Sequence, residues 1–277
     1  MRRTGLVALI GVLCALAAGC TTVTRGSASG SGQDGDGGTG VSTNGGGAGP
    51  VAPNVSGLAA QITHGSLNVK SAQGTLDVDA GPLTQTSTFR QLMSAGQITT
   101  FEDQIDTTFQ GNKTKIHVIY VDKTIYIDRG QNGKPWIVAK PDSSDQVAAQ
   151  LAQTFPQSLA QSGIKYYVVM VEAAHDLKFV GTEDVDGVPT NHYHFVVDPK
   201  VLVQKLPPDQ AQQMQTAVDA GVDSVPADEW VDAQGRPVRV TDEVTAQGQT
   251  AKIDLRLNHY DEPVSIKAPP ADQVDQS

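Results

Sequence analysis

The chain has 277 residues, 39% of them hydrophobic, and carries 20 Lys and Arg against 30 Asp and Glu, a formal charge of −10 at pH 7. No basic tract offsets that balance, which argues against a nucleic-acid partner and against polybasic docking on anionic lipid. Its two cysteines, Cys14 and Cys20, are too few and too close to the N-terminus for a disulfide framework.

The N-terminus reads as a processing signal. Arg2 and Arg3 supply positive charge, and "LVALIGVLCALAA" from Leu6 to Ala18 is apolar but too short to span a bilayer permanently. "LAAGC" follows, small residues that suit a signal peptidase and then a thiol that accepts a diacylglyceryl group. This stretch resembles a bacterial lipobox cut before Cys20, departing from it at Ala17, where such boxes usually carry Leu. Residues 1–19 are therefore expected to be a lipoprotein signal peptide, with Cys20 as the lipidated residue. An ordinary secretory peptide with an incidental cysteine is the alternative. A lipid attached at one residue, strengthened by acylation such as palmitate on the new N-terminus, anchors a chain to the cell membrane without spanning it. The expected location is the extracytoplasmic face.

Residues 20–54 have almost no large apolar side chain and cannot offset their ordering entropy by burial. They read as a disordered Gly/Ser-rich tether, with a reach of roughly 30–35 Å at Gly-rich coil scaling. "DGDGG" within it is not a calcium loop, because Gly45 stands where the closing acidic ligand belongs. Residues 55–277 remain for a single domain.

In chain order, Val55 to His64 is short and weakly patterned. "SLNVK" (66–70) and "GTLDVDA" (74–80) alternate cleanly around "SAQ", and 86–93 and 96–110 continue as β-rich segments. "KIHVIYV" (115–121) and "TIYID" (124–128) flank Asp122-Lys123 and predict a tight hairpin, followed by a short strand over 135–140. From Asp142 to Ser162 a capping-type "DSSDQ" opens a helix that spaces Val147, Leu151, Phe155 and Leu159 four apart. Pro156 should break or kink it. The stretch 163–176 is apolar on nearly every face, as a buried segment would be. A second helical region, 199–220, is split at Pro207-Pro208, with Val201, Leu202, Leu206, Met214 and Val218 on its apolar side. Strands near 226–232, 236–245 and 249–258 complete a meander. In the last of these Ile253, Leu255 and Leu257 alternate with Lys252, Asp254 and Arg256. The sum is an α+β chain, an antiparallel sheet with a few helices on one face.

"FVGTEDVDGVPTNHYHF" (179–195) resembles the "VG.E.VDGV.T.HY" hairpin of actinobacterial envelope lipoproteins of the LppX/LprG/LprA/LprF type. "EWVDAQGRPVRV" (229–240) and "NHYDEPVSIKAPPADQV" (258–274) follow in that family's order, so the likeness is strongest from 177 to 274. The resemblance implies a LolA/LolB-like fold, a curved antiparallel β-sheet or half-barrel closed on its concave side by helices over an apolar cavity. It also implies a carrier or chaperone that binds acyl chains of an envelope lipid or lipoglycan, and an envelope transporter as a partner, unidentified. The short segment 55–64 departs from the family, which often begins its domain with a long amphipathic helix. An envelope adaptor with a filled core, binding protein or cell wall, is the rival reading.

A site for alkyl chains needs a continuous apolar lining, since each buried methylene contributes about 0.8 kcal/mol and unpaired polar atoms cost more. The inward rows expected to supply it are Ile116, Val118, Tyr120, Ile125, Ile127, Tyr193, Phe195, Val197, Val238, Val240, Ile253, Leu255 and Leu257. Val169, Met170 and Leu202 approach from helices. The same residues would equally serve as a plain filled core.

Chemical sites are weaker. His192 and His194 share a strand face as metal ligands can, but no nearby motif supplies a third ligand, so they are expected to be exposed strand-face histidines. Asp184, Asp186 and Gly187 read as turn residues rather than half of an acid–base pair with Glu183. "SGIK" (162–165) has a Ser-x-x-Lys spacing without its partner motifs. No nucleophile elbow, phosphate loop or dinucleotide fingerprint occurs. No catalytic residue, metal or cofactor is therefore expected, and no enzymatic activity.

Overall fold

The computed structural model describes residues 49–128, 134–161 and 164–275. The expected signal segment, Cys20 and the tether as far as residue 48 lie outside the described residues, as do Ser162 and Gly163 of "SGIK".

Asn54 starts the first helix: its side chain accepts from the Gly57 N–H at 2.8 Å, capping α1 (Val55–Ser66). Leu58 and Ile62, four residues apart, turn to one side and are fully buried. The strands β1 (Ser71–Ala80), β2 (Leu83–Ser94), β3 (Gln97–Phe109), β4 (Asn112–Val121), β5 (Thr124–Asp128) and β6 (Trp136–Val138) follow. The alternation at 66–70 is thus not a strand. Five alternating residues fit the end of a helix and its exit as well as a strand. "SAQ", expected as a break, is the start of β1, which the C-terminal segment ties down: Asp261 accepts from the Lys70 N–H and Ser71 Oγ donates to the Glu262 carbonyl. Asp122 and Lys123 have φ of 50° and 62°, the left-handed pair of a tight two-residue turn, and join β4 to β5 as expected.

Asp145 caps α2 (Gln146–Gln161), accepting from the Ala148 N–H at 3.0 Å. The helix continues through Pro156 instead of breaking there; a proline removes one backbone bond, and Leu151 and Phe155 pack the helix onto the sheet nearby. Helix α3 (Ile164–Glu172) leads into the hairpin of β7 (Ala174–Val185) and β8 (Val188–Val197), whose turn places Asp186 and Gly187 at φ of 53° and 85°. Asp184 accepts from the Gly187 N–H, so these residues hold the turn as expected. Helices α4 (Pro199–Lys205) and α5 (Pro208–Asp219) are divided at Pro207-Pro208 as expected, although Val201 is exposed rather than on a buried side. β9 (Val225–Asp232), β10 (Pro237–Ala246), β11 (Gln249–Asn258) and the short β12 (Val274–Asp275) complete the chain.

All twelve strands form one curved, unclosed sheet in the order β12-β6-β5-β4-β3-β2-β1-β11-β10-β9-β8-β7, antiparallel except where β12 joins β6. One face carries the helices. Toward β8–β11, residues of α1, α3, α4 and α5 pack with Tyr193, Phe195, Val197, Ala227, Val244 and Ile253. Toward β3–β6, Ala148, Leu151 and Phe155 of α2 pack with Val118, Ile125 and Ile127. On the other face the C-terminal residues Ile266 and Val274 cover Ile119 and Trp136. Helix α1 reaches the β9–β10 turn because both sides of that contact are glycine: a Cβ on Gly235 (φ 82°) would overlap the Gln61 carbonyl, and one on Gly65 would overlap Gly235.

Candidate functional site on the inner sheet face

Residues paired across antiparallel strands point to the same side, so the register defines rows on the helix-covered, inner face. One row runs from Leu257 through Gly74, Phe89 and Asp103 to Val118 and Ile127. Beside it another runs through Tyr193, Glu229, Val240, Leu255, Leu76, Ser87, Ile105 and Ile116. The expected inward residues are mostly brought to this face, but in separate groups. Tyr193, Phe195, Val197, Ile253, Met170 and Leu202 are buried in the first packed cluster, with Val169 at its margin. Val118, Ile125 and Ile127 belong to the second, with Ile116 and Tyr120 at its margin. Val240 is buried between Glu229 and Leu255. Val238 goes elsewhere: it falls in a bulge between Pro237 and Arg239, which breaks the alternation, and packs with Trp230 and Val185.

Between the two clusters Leu255, Leu257, Phe89 and Phe101 are half-buried and belong to neither. Phe89 and Phe101 stack at 6.0 Å, and Phe101 reaches Phe155 of α2 at 6.1 Å. Gly74 lets Phe89 lie across β1, since a Cβ there would strike the ring at 2.6 Å. The N-terminal approach runs over the far end of the same face: Tyr193 Oη accepts from the Ala52 N–H at 2.8 Å, and Asn191 Nδ2 donates to the carbonyls of Gly49 and Pro50.

Sequence reasoning missed the acids on this apolar face. Glu229 is 0% exposed and sits under Tyr167 of α3, with Asp242 close by on β10; both Glu229 oxygens, Asp242 Oδ1 and the Tyr167 hydroxyl make no well-aligned hydrogen bond. Burial pushes the Glu229 carboxyl up to about 8 and the Asp242 carboxyl up to about 7. It likewise raises the Tyr167 hydroxyl well above the usual phenol range. Asp103, mid-sheet, is raised to about 7 by burial despite a hydrogen bond with Ser87. The only sequence signal was polar letters at inward register positions, visible once the register is known.

The histidines occupy the opposite face, but neither is exposed, against expectation: His194 is half-buried. His192 is 9% exposed, stacked on Trp230, with Nδ1 2.8 Å from Glu183 and Nε2 2.8 Å from Asp228. His194 reaches the same Asp228 oxygen at 3.2 Å. The partner that buries His192 comes from β9, distant in sequence, and so no local pattern announced it. Hydrogen bonds from Trp230 Nε1 and from His192 hold the Glu183 carboxyl below its ordinary range. Arg239 covers the other side of Trp230 and pairs bidentately with Asp254. Among the described residues no group of three or more His, Cys, Asp or Glu is arranged to hold a metal ion. Beside this network a groove of about 710 Å³ lined by Asp77, Thr86, His194, Asp228, Thr241 and Lys252 opens on the polar face.

The fold has a counterpart among solved structures. LprF from Mycobacterium bovis superposes with a TM-score of 0.51 over 78% of this chain and 96% of its own, at 14% identity. This is the LprF fold. The resemblance carried by residues 177–274 is thereby borne out at the level of fold. The lipoprotein LppX of Mycobacterium tuberculosis aligns over 77% of this chain and 98% of its own, at 12% identity and a TM-score of 0.49. In sequence, an uncharacterized 31.2 kDa protein of Streptomyces griseus is 28% identical over 148 residues, 52% of this chain. The match spans about half, 48%, of that relative. No family model matches the chain. Among the described residues no helix is long and apolar enough to cross a membrane.

Proposed function

We propose that this chain is an envelope lipoprotein, anchored through Cys20 on the extracytoplasmic side of the membrane, that holds the acyl chains of a lipid or lipoglycan against the inner sheet face. It acts as a carrier or chaperone and not as a catalyst. The observation that carries the reading is the half-buried apolar strip of Leu255, Leu257, Phe89 and Phe101, flanked by two packed clusters on a sheet with the LprF fold. Aliphatic and aromatic side chains left half covered inside a helix-lined face gain by taking an alkyl chain, at about 0.8 kcal/mol per methylene removed from water. The helices α1, α2 and α3 would then close the concave side, and residues 49–54 would deliver the tether from the membrane to the rim of that face. A transporter of the envelope would be its partner in handing lipid on.

Native mass spectrometry of Cys20→Ala protein, purified from a lipid-rich bacterial host, tests this. Bound mass in the range of acylated lipids, lost in Leu255→Asp with Leu257→Asp, is the expected result. Consistently lipid-free protein would instead favour the filled-core adaptor, which the continuous packing of α1, α3, α4 and α5 against β8–β11 would suit.

A further inference from the structure

Glu102 and Asp103 are neighbours on β3, each 8% exposed, yet they live differently. Glu102 points to the outer face, where Arg90 Nε donates to it at 2.7 Å and His117 Nε2 lies 2.8 Å away. Asp103 points to the inner face between Phe89 and Val118 and has no cationic partner among the described residues. Ser87, 1% exposed and one row away, hydrogen-bonds to its carboxyl, and Gln85 Nε2 donates to Ser87 Oγ at 3.3 Å. Asp103 Oδ1 is left buried and without a partner. An acid placed in an apolar row with an idle oxygen costs stability, since a desolvated polar atom without a bond is penalised by more than a typical bond returns. It pairs across the strands with Phe89 and lies two residues along β3 from Phe101, so it borders the half-buried strip.

We propose that Asp103 and Ser87 form a hydrogen-bonding seat inside the lipid site, which takes the ester carbonyl or free hydroxyl where an acyl chain joins its polar head. This rests on the lipid-carrier reading and specifies the class of lipid: acyl chains bearing an oxygen function near the middle of the sheet, rather than plain hydrocarbon. Asp103 suits the task because burial lifts it to about 7, so the carboxyl is available in its neutral form and can donate to a carbonyl or accept from a hydroxyl. Ser87, itself held by Gln85, engages the carboxyl and leaves Oδ1 without a partner. The alkyl chains then extend over Leu255, Leu257 and Phe101.

The test compares two probes, dipalmitoylglycerol and hexadecane, on delipidated Cys20→Ala protein, by displacement of a bound fluorescent fatty acid. Asp103→Leu is expected to weaken dipalmitoylglycerol about tenfold, the effect of roughly one hydrogen bond, and to leave hexadecane unchanged. Asp103→Asn, which keeps a donor and an acceptor in the same shape, is expected to retain most of the wild-type affinity. Equal loss of both probes in a folded Asp103→Leu, or no loss of dipalmitoylglycerol, overturns the seat while leaving the carrier intact. Wild-type protein that binds neither probe overturns the carrier reading and the seat together. Should Asp103→Leu fail to fold, Ser87→Ala in the same comparison takes its place, with the same selective loss expected and the same outcomes overturning the proposal.

Discussion

His192 lies nearly parallel to Trp230, ring centroids 4.2 Å apart and planes 18° from parallel, with a carboxylate oxygen 2.8 Å from each of its nitrogens. The stack and the two bonds cross three strands, because Glu183 is on β7, His192 on β8, and Trp230 and Asp228 on β9. The relationship staples the β7 edge to the rest of the sheet. His192→Ala removes both bonds and the stacked ring, and should lower the unfolding free energy by about 2–3 kcal/mol in urea titrations. Lipid load should not change, since the ring lies on the face away from the helices. Loss of bound lipid in a variant of native stability would show that the outer face takes part in binding.

The inner acids set a pH dependence of the opposite sign to that of ordinary surface carboxylates. Glu229, Asp242 and Asp103 rise in the fold to about 8, 7 and 7, from 4.5, 3.8 and 3.8 in the open chain. Below those open-chain values both states hold the protons and the groups exert no bias. Between the open-chain and folded values the folded state holds more protons, so stability falls as pH rises, and the loss is complete above about pH 8. Thermal midpoints should therefore drop by several degrees between pH 5 and pH 9. The double variant Glu229→Gln with Asp242→Asn should flatten most of that slope, whereas an unaltered slope would mean the acids keep normal ionisation.

Gly235 meets α1 with no room for a side chain and adopts φ 82°. Gly235→Ala should cost about 3 kcal/mol or more, through left-handed strain and displacement of α1 at Gln61. Gly81→Ala is the control: φ is 70° but nothing lies within 4 Å, so only the backbone term of about 1 kcal/mol remains. Equal costs for the two variants would show that the close approach of α1 contributes nothing.

The proposed anchor at Cys20 is testable by fractionation. Cys20→Ala should shift the protein from the membrane pellet to the soluble fraction and abolish incorporation of labelled palmitate. Retention in the pellet with full labelling would place the anchor elsewhere.

Local patterns in the sequence determined much of this protein. Two-residue turns at Asp122-Lys123 and Asp186-Gly187 were legible because left-handed backbone selects a few residue types. The split at Pro207-Pro208 and the strands 226–232 and 249–258 were legible because proline and period-two alternation act within a few residues. The inward placement of Tyr193, Phe195 and Val197 followed from the same alternation. Tertiary structure alone decided what depends on pairing between distant segments. Segment 66–70 became helix end and connection because its alternation was too short to choose between periods. His192 became buried because Trp230 and Asp228 arrive from another strand. Val238 left the inward row because a bulge shifts the register. The two apolar clusters, the half-covered strip between them and the idle Oδ1 of Asp103 exist only once distant strands pair, as where β1 joins β11. A side chain's burial is a property of what faces it, and that is set by register across the sheet.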